Sequence, residues 1–131
     1  PQTRQRISDP DVMDVICKVA DDLNISRREL SDEEILNRHL FALINEGMKI
    51  LEEGIAQRPG DIDVVYVFGY GFPAYKGGPM HLADTIGLKK IYRAICDFRD
   101  IHGETYWKPA TLLEQLVTEN KTLAQWAAEK A

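Results

Sequence analysis

Residues 69–79 read GYGFPAYKGGP, and MHLADTIG follows directly as residues 80–87. The first eleven of these residues include four glycines, two prolines and three aromatic residues. This density predicts an ordered turn rather than a regular helix or strand. Two hypotheses compete for it, because glycine-rich backbone either holds a phosphate or lets the chain approach other segments closely.

The spacing of small residues in this loop matches, in form, a dinucleotide-binding pattern. Gly69, Gly71 and Ala74 spell G-x-G-x-x-A after an apolar run. That pattern needs its third small residue in the first turn of a long helix, whose free N–H groups meet the pyrophosphate. Pro73 has no N–H to donate, and KGGP at residues 76–79 stops a helix. We therefore expect no cofactor at this loop.

The same residues are better suited to packing. Lys76-Gly77 lacks the glycine spacing and the following Ser or Thr of a P-loop. The glycines allow tight turns, and Tyr70, Phe72 and Tyr75 are predicted to anchor the loop by burying their rings. The loop is predicted to be an ordered structural element.

Upstream of the loop, two segments predict amphipathic helices. Residues 10–23 repeat apolar side chains at a 3.6-residue spacing, and Ser8 or Asp9 is placed to cap this helix. Residues 31–54 repeat the pattern on more than one face and end at Gly54, where a left-handed residue belongs. The second of these helices is predicted to be central.

The run IDVVYVF at residues 62–68 has the composition of a strand. The sequence has no second strand candidate, and a single strand cannot satisfy its own backbone groups. We therefore predict a short buried helix that begins at Asp61.

Further helices are predicted from Pro79 through Ala83, from Leu88 to Gly103, from Pro109 onward, and in a last turn capped by Thr122. The predicted fold class is therefore all-α, a compact multi-helix domain with an ordered loop rich in glycine, proline and aromatic residues.

The composition of the chain argues against several classes of protein. The 131 residues carry a net charge of −5 and have no Lys/Arg cluster typical of nucleic-acid binding, so no nucleic-acid partner is expected. No apolar run approaches the roughly 20 residues of a membrane span. Cys17 and Cys96 are predicted to be reduced core thiols. Because the chain begins with Pro1, we expect a fragment of a longer protein.

Residues 69–88, GYGFPAYKGGPMHLADTIGL, preceded by INEGMKILEEGIAQRPGDIDVVYVF, resemble the last helical repeat of the multifunctional enzymes of fatty acid β-oxidation. In that family, enoyl-CoA hydratase and 3-hydroxyacyl-CoA dehydrogenase activities share one chain. The likeness covers residues 31–88, and the end TLLEQLVTENKTLAQW is also similar. We expect a single helical domain over residues 1–131, with a variable leading helix at 1–30 and a dehydrogenase C-terminal-like repeat at 31–131.

The resemblance implies a packing role rather than a catalytic one. In the family, the second helical repeat packs against the first repeat beside a dinucleotide-binding domain, and these domains are the expected partners. NAD and the acyl-CoA substrate would bind to the parent enzyme, while the isolated domain would be inactive and would self-associate or expose an apolar patch. The resemblance implies either the bacterial cytoplasm or the peroxisomal matrix.

Two alternatives remain open. Ile35-Leu36-Asn37-Arg38 imitates the apolar-x-Asn-Arg stretch of the family's first repeat, and Asn37 falls where a catalytic Asn would sit. The form of the loop at residues 69–80 favours the second repeat, so Asn37 is expected to be a surface or packing residue. The other alternative is an independent dimerising helical protein.

The remaining polar residues show no catalytic spacing. Three scattered histidines, His39, His81 and His102, are expected to make structural hydrogen bonds. Asn45-Glu46 either holds neighbouring segments through polar contacts or is simply solvated, and the pairs Glu52-Glu53 and Lys89-Lys90 are expected to be solvated. We predict no catalytic, cofactor-binding or metal-binding residue in this chain.

Overall fold

A computed structural model describes residues 9–130 of the chain. The chain forms two compact units, Pro1–Ser31 and Asp32–Ala131. Within the described residues, helices and turns make up the structure and no strand occurs, which confirms the all-α prediction. The boundary between the units falls close to the predicted end of the leading segment, and the assignment of all 131 residues to one domain stays a prediction.

The first unit contains one helix, α1, Pro10–Asp22. The Asp9 carboxylate caps it by accepting the Asp11 N–H at 3.0 Å. Ser8, the alternative cap, lies outside the described residues. The apolar stripe is solvent-exposed along its length, at Val12, Val15, Ile16, Val19 and Leu23. Cys17 is only half-buried and contacts the Arg27 guanidinium, so the prediction of a core thiol is wrong here.

The second unit contains seven helices among its described residues: α2, Asp32–Glu52; α3, Pro59–Gly69; α4, Pro79–Ile86; α5, Leu88–His102; α6, Glu104–Trp107; α7, Thr111–Glu119; and α8, Leu123–Glu129. Helix α4 extends three residues beyond the predicted end at Ala83. The short α6 was not predicted. Pro109 precedes α7 rather than beginning it, because Ala110 is the N-cap residue of that helix.

Helix α2 is the central element, as predicted, and contacts α3, α4, α5 and α7. Its buried side chains recur at helical spacing and meet apolar residues of α4, α5, α7 and α8 in one core: Phe41, Ile44, Met48, Leu51, Met80, Ile91, Ile95, Leu113, Leu116 and Leu123. Leu36 is exposed, so the predicted stripe does not reach the start of α2. Cys96 on α5 is half-buried and not a core thiol.

The C-terminus of α2 has the predicted left-handed glycine. Gly54 has φ +70°, and its N–H donates to the Leu51 carbonyl at 3.2 Å. The Ile55 N–H donates to the Ile50 carbonyl at 3.1 Å. These two bonds satisfy carbonyls that the end of a helix leaves without partners, and they turn the chain toward α3.

The segment that resembles a strand forms helix α3, as predicted. It begins two residues earlier than predicted, at Pro59, because Asp61 acts as a capping residue and accepts the Arg58 N–H at 3.1 Å. The prediction that α3 is buried is wrong. Among its apolar side chains only Ile62 is fully buried.

The glycine-rich loop folds back on its own backbone. The N–H groups of Tyr70 and Phe72 both donate to the Tyr66 carbonyl, at 3.2 and 2.9 Å. Lys76 and Gly77 donate to carbonyls three residues earlier, which forms a single 3₁₀ turn. The prediction of an ordered loop is confirmed.

The loop is not anchored by its rings as predicted. Tyr70 and Tyr75 are 76% and 86% exposed, and Phe72 is only partly buried. Hydrogen bonds and glycine geometry therefore hold the loop, and its tyrosines face solvent.

Valine at Gly71 or Gly77 is expected to destabilise the second unit, because these residues have φ +73° and +76°. A left-handed conformation costs a side-chain-bearing residue about 1–2 kcal/mol. At Gly71 nothing lies near an added Cβ, so Gly71→Val should cost only this amount. At Gly77 the Cβ would lie 2.5 Å from Cδ2 of His81, so Gly77→Val should cost more. Urea denaturation measures both.

The control for these variants is Gly69→Ala, at the end of α3, where no positive φ and no close neighbour occur. It should leave the free energy of unfolding unchanged or slightly raised, since alanine favours helix. Equal stability of both valine variants and the unaltered protein would contradict the expectation.

Candidate functional site

Four polar side chains from α2, α3 and α4 bind backbone groups at or just before the first turns of other helices: Asn45, Glu52, Asp63 and Asp84. The N–H groups of a first turn have no partner within their own helix. These side chains therefore satisfy donors that the fold would otherwise leave unpaired, and they set where α4, α7 and α8 begin.

Asn45 lies in the core, with 2% of its surface exposed. Its Oδ1 accepts the Ala110 N–H at 2.8 Å, and its Nδ2 donates to the Lys108 carbonyl at 2.9 Å. Both groups lie in the connection between α6 and α7. The prediction that Asn45 holds a neighbouring segment is confirmed, whereas Glu46 is exposed and pairs only with Lys49 on its own helix.

Asp63 on α3 caps α4. Its Oδ1 accepts the Met80 N–H at 2.7 Å, and its Oδ2 accepts the His81 N–H at 3.1 Å. Partial burial raises the pKa of the Asp63 carboxyl, although the amide hydrogen bonds act in the opposite direction. Gly78 makes this approach possible, because a Cβ there would lie 2.4 Å from Asp63 Cβ.

Asp84 on α4 plays the same role for α8. Its two carboxylate oxygens accept the Leu123 and Ala124 N–H groups at 2.8 and 3.0 Å. Thr122 adds the predicted local cap by accepting the Gln125 N–H at 3.1 Å. Asp84 caps α8 across 39 residues of sequence, so no local pattern indicates the contact.

Glu52 on α2 accepts the Leu112 N–H at the start of α7. Glu52 is exposed, as predicted, but its contact with α7 was not predicted. Its neighbour Glu53 is exposed, as expected.

The loop after α3 does not fit a dinucleotide. The residues before Gly69 form a helix rather than a strand, and a 3₁₀ turn of three residues follows Pro73. The N–H groups of Tyr70 and Phe72 are already bonded to backbone. The sequence pattern at Gly69–Ala74 thus lacks the long helix that pyrophosphate binding requires, and two of its amides are already bonded.

The predicted polar candidates are dispersed over the second unit. His39 Nδ1 lies 2.7 Å from the Ile35 carbonyl, and His102 Nε2 lies 2.8 Å from Arg38 Nη2, which confirms structural hydrogen bonding for these two rings. Residues 9–130 contain no group of three His, Cys, Asp or Glu side chains placed to hold a metal ion. Asn37 is partly exposed on α2, and its role stays a prediction.

An exposed apolar surface lies on α3 and is named here the α3 face: Val64, Val65 and Phe68, which are 57%, 53% and 85% exposed. Spacings of three and four residues place Phe68 beside both valines on one side of the helix. An adjoining hollow of about 450 Å³ is lined mainly by apolar residues: Ile50, Ile55, Ala56, Ile62, Val65 and Tyr66. The expected exposed apolar patch is confirmed, and self-association stays a prediction.

None of the helices in the described part of the chain is long and apolar enough to cross a membrane.

Comparison with known proteins identifies relatives of this chain. The chain is 39% identical over 110 residues to the peroxisomal bifunctional enzyme of Danio rerio. This alignment covers 83% of this chain and 15% of the relative. It is 42% identical over 111 residues to the peroxisomal bifunctional enzyme of Homo sapiens, covering 79% of this chain and 14% of the relative. The chain thus spans about a seventh of these proteins.

A bacterial protein is also similar. The fatty acid oxidation complex subunit alpha of Shewanella amazonensis is 38% identical over 89 residues, covering 68% of this chain and 12% of the relative. The family described as "3-hydroxyacyl-CoA dehydrogenase, C-terminal domain" matches residues 35–127. This range contains α3, the glycine-rich loop and all four side chains that cap or tether other helices, and the match confirms the resemblance. The chain therefore belongs to the 3-hydroxyacyl-CoA dehydrogenase C-terminal domain family.

Proposed function

We propose that the second unit is an interdomain packing module of a multifunctional fatty acid β-oxidation enzyme. Its α3 face would dock on another helical domain of the same longer chain, the first helical repeat, beside a dinucleotide-binding domain. The observation that carries this proposal is the exposure of Val64, Val65 and Phe68 on a helix whose other side packs into the core.

The length of the relatives and the apolar side chains of the α3 face indicate what would cover this face. The relatives named above extend over about seven times the matched length, so a chain of their kind has other domains to which this one is covalently joined. Aromatic side chains are enriched in interface cores, and burying a Phe side chain such as Phe68 contributes about 1.5–3 kcal/mol.

In this proposal the module does no chemistry itself. NAD and 3-hydroxyacyl-CoA would bind to the other domains, since the glycine-rich loop lacks a nucleotide-binding geometry. The module would instead stabilise the domain that forms the catalytic cleft. The relatives include peroxisomal and bacterial proteins, and the proposal applies equally to either compartment.

A chimeric enzyme tests this role. The matching segment of the Danio rerio relative is replaced by this chain, and the melting temperature and NAD-dependent oxidation of 3-hydroxyacyl-CoA are measured. We expect an active chimera whose melting temperature and activity both fall when Val64→Asp and Phe68→Asp are introduced together, because two charges would then enter an apolar interface.

The matched control is Tyr106→Ser, which alters an aromatic residue on α6 that is 79% exposed and should change neither quantity. The 131-residue chain alone should neither reduce NAD⁺ with 3-hydroxyacyl-CoA nor hydrate enoyl-CoA. Turnover by the isolated chain, or a chimera that tolerates both aspartates, would refute the packing role.

A further inference from the structure

The positively charged side chains of the second unit fall into two groups. Most of them have partners: Arg38, Lys49, Arg58, Arg99 and Lys121 form ion pairs, and Lys76 and Lys130 lie over aromatic rings. The side chains of Lys89, Lys90, Arg93 and Lys108 have neither kind of partner among residues 32–130. The partnerless cations are therefore few.

Three of these four cations lie close together on α5. Lys89, Lys90 and Arg93 lie on the exposed side of α5 and line a single hollow of about 570 Å³. Lys89 and Lys90 are four and three residues from Arg93, so both are its neighbours on the helix surface. Like charges at these spacings destabilise a helix by a few tenths of a kcal/mol. The cluster is thus unfavourable for the isolated helix.

The hollow also has an apolar part. Ile86 and Ala94, both packed against the core, form part of its lining. Asp97 is the one acidic residue in this lining and makes no ion pair with Arg93 among the described residues. Counting Asp97, the side chains leave a local charge of +2 (three cations minus one carboxylate) in a chain whose net charge is −5.

We propose that this hollow on α5 binds a phosphate-bearing small molecule, with Lys89, Lys90 and Arg93 contacting the phosphate oxygens. Lysine binds phosphate as a point charge, and arginine donates two parallel hydrogen bonds to it. A group with two or more negative charges matches three adjacent cations better than a single carboxylate does. The hollow is open to solvent, so the phosphate would be held mainly by the three cations, and Ile86 and Ala94 offer a surface for an organic part.

The ligand has two possible sources, inorganic phosphate and a phosphate ester. The 131-residue chain is titrated with pyrophosphate and with adenosine 3′,5′-bisphosphate, and binding is followed by amide chemical shifts and calorimetry. Saturable binding with shifts confined to the start of α5 is expected for both probes. Tighter binding of the bisphosphate by about tenfold assigns an organic ester, and equal binding assigns the inorganic anion.

The variant K89Q/K90Q/R93Q should weaken binding of both probes by at least about tenfold. Its melting temperature should be unchanged, because glutamine is a good helix former and these side chains are exposed. A second variant, K90E, replaces one positive charge of the hollow with a negative charge. K108Q removes the fourth partnerless cation, which lies outside the hollow, and should bind both probes as the unaltered chain does.

Three results would overturn the site: no saturable binding of either probe, equal binding by the triple variant, or preferential binding of a hexaglutamate peptide. Because the hollow lies on α5 and the packing surface on α3, failure of this titration leaves the proposed packing role untouched. The chimera experiment likewise does not decide the anion site.

Discussion

Replacing Gly78 with valine should lower the free energy of unfolding of the second unit by about 4 kcal/mol. Gly78 has φ +108° and ψ 168°, a conformation available almost only to glycine, and a side-chain-bearing residue there costs about 1–3 kcal/mol. An added Cβ would also lie 2.4 Å from Asp63 Cβ. Asp63 would have to move away, and α4 would lose its cap, which adds about 1–2 kcal/mol.

Urea denaturation followed by far-ultraviolet circular dichroism measures this change. Total stabilities of about 5–15 kcal/mol are typical, so the loss should be a large fraction of the whole. Gly60→Ala is the matched control, since Gly60 lies in α3 with no positive φ and no neighbour within 4 Å of an added Cβ. Alanine there should be neutral or stabilising by up to about 1 kcal/mol. A Gly78→Val protein as stable as this control would show that the approach of Asp63 to Gly78 has no energetic role.

Replacing Asn45 with leucine should cost about 2–4 kcal/mol. Leucine has a similar size but no polar atoms, so the Ala110 N–H and the Lys108 carbonyl would each lose their Asn45 partner. An unsatisfied buried polar group costs about 1–3 kcal/mol. Asn45 is 2% exposed and Ala110 is 2% exposed, so water cannot readily replace the side chain.

Denaturant unfolding measures the change in the free energy of unfolding caused by Asn45→Leu. Hydrogen exchange at the Ala110 amide shows whether the change arises at this contact. Exchange of this amide should speed up more than that of the Ile44 amide, which lies within α2. The control is Glu46→Gln, because Glu46 is exposed and makes only an i,i+3 ion pair with Lys49, which contributes less than about 0.5 kcal/mol. If Asn45→Leu unfolds at the same urea concentration as Glu46→Gln, the link to the α6–α7 connection is not a source of stability.

Local sequence patterns predicted the helices well where caps and stop signals were present. Gly54 ends α2 in a left-handed conformation, Gly103 follows α5, and Thr122 caps α8, each as expected. These signals act over three or four residues, so the sequence alone contains them. The short α6 has four residues, which is too few to show a helical repeat of apolar side chains, and it was missed.

In residues 62–68, the strand propensity of the individual residues conflicts with the need of a strand for a pairing partner. Its valines and aromatic residues favour a strand. The absence of any pairing partner in the sequence favours a helix, and this argument gave the correct element. Composition also suggested that α3 would be buried, but Val64, Val65 and Phe68 are exposed because no described part of the second unit covers that side.

The candidate site was only partly predictable, because it also depends on contacts between residues distant in sequence. The expectation that the glycine-rich loop holds no phosphate rested on Pro73 and on the KGGP stop, and it stays a prediction. The capping roles of Asp63 and Asp84 were not foreseen, because their partners lie 17 to 18 and 39 to 40 residues away. Lys89 and Lys90 were expected only to be solvated, and their grouping with Arg93 around one hollow depends on the fold.

The sequence by itself determined that this chain is helical, where most of its helices begin and end, and which family it resembles, because apolar periodicity, caps and glycine stops act between near neighbours. Only the tertiary structure decided which apolar residues stay exposed and which polar groups meet across the fold. Burial and long-range capping depend on how α2, α3, α4, α7 and α8 pack together, and sequence spacing does not contain those distances.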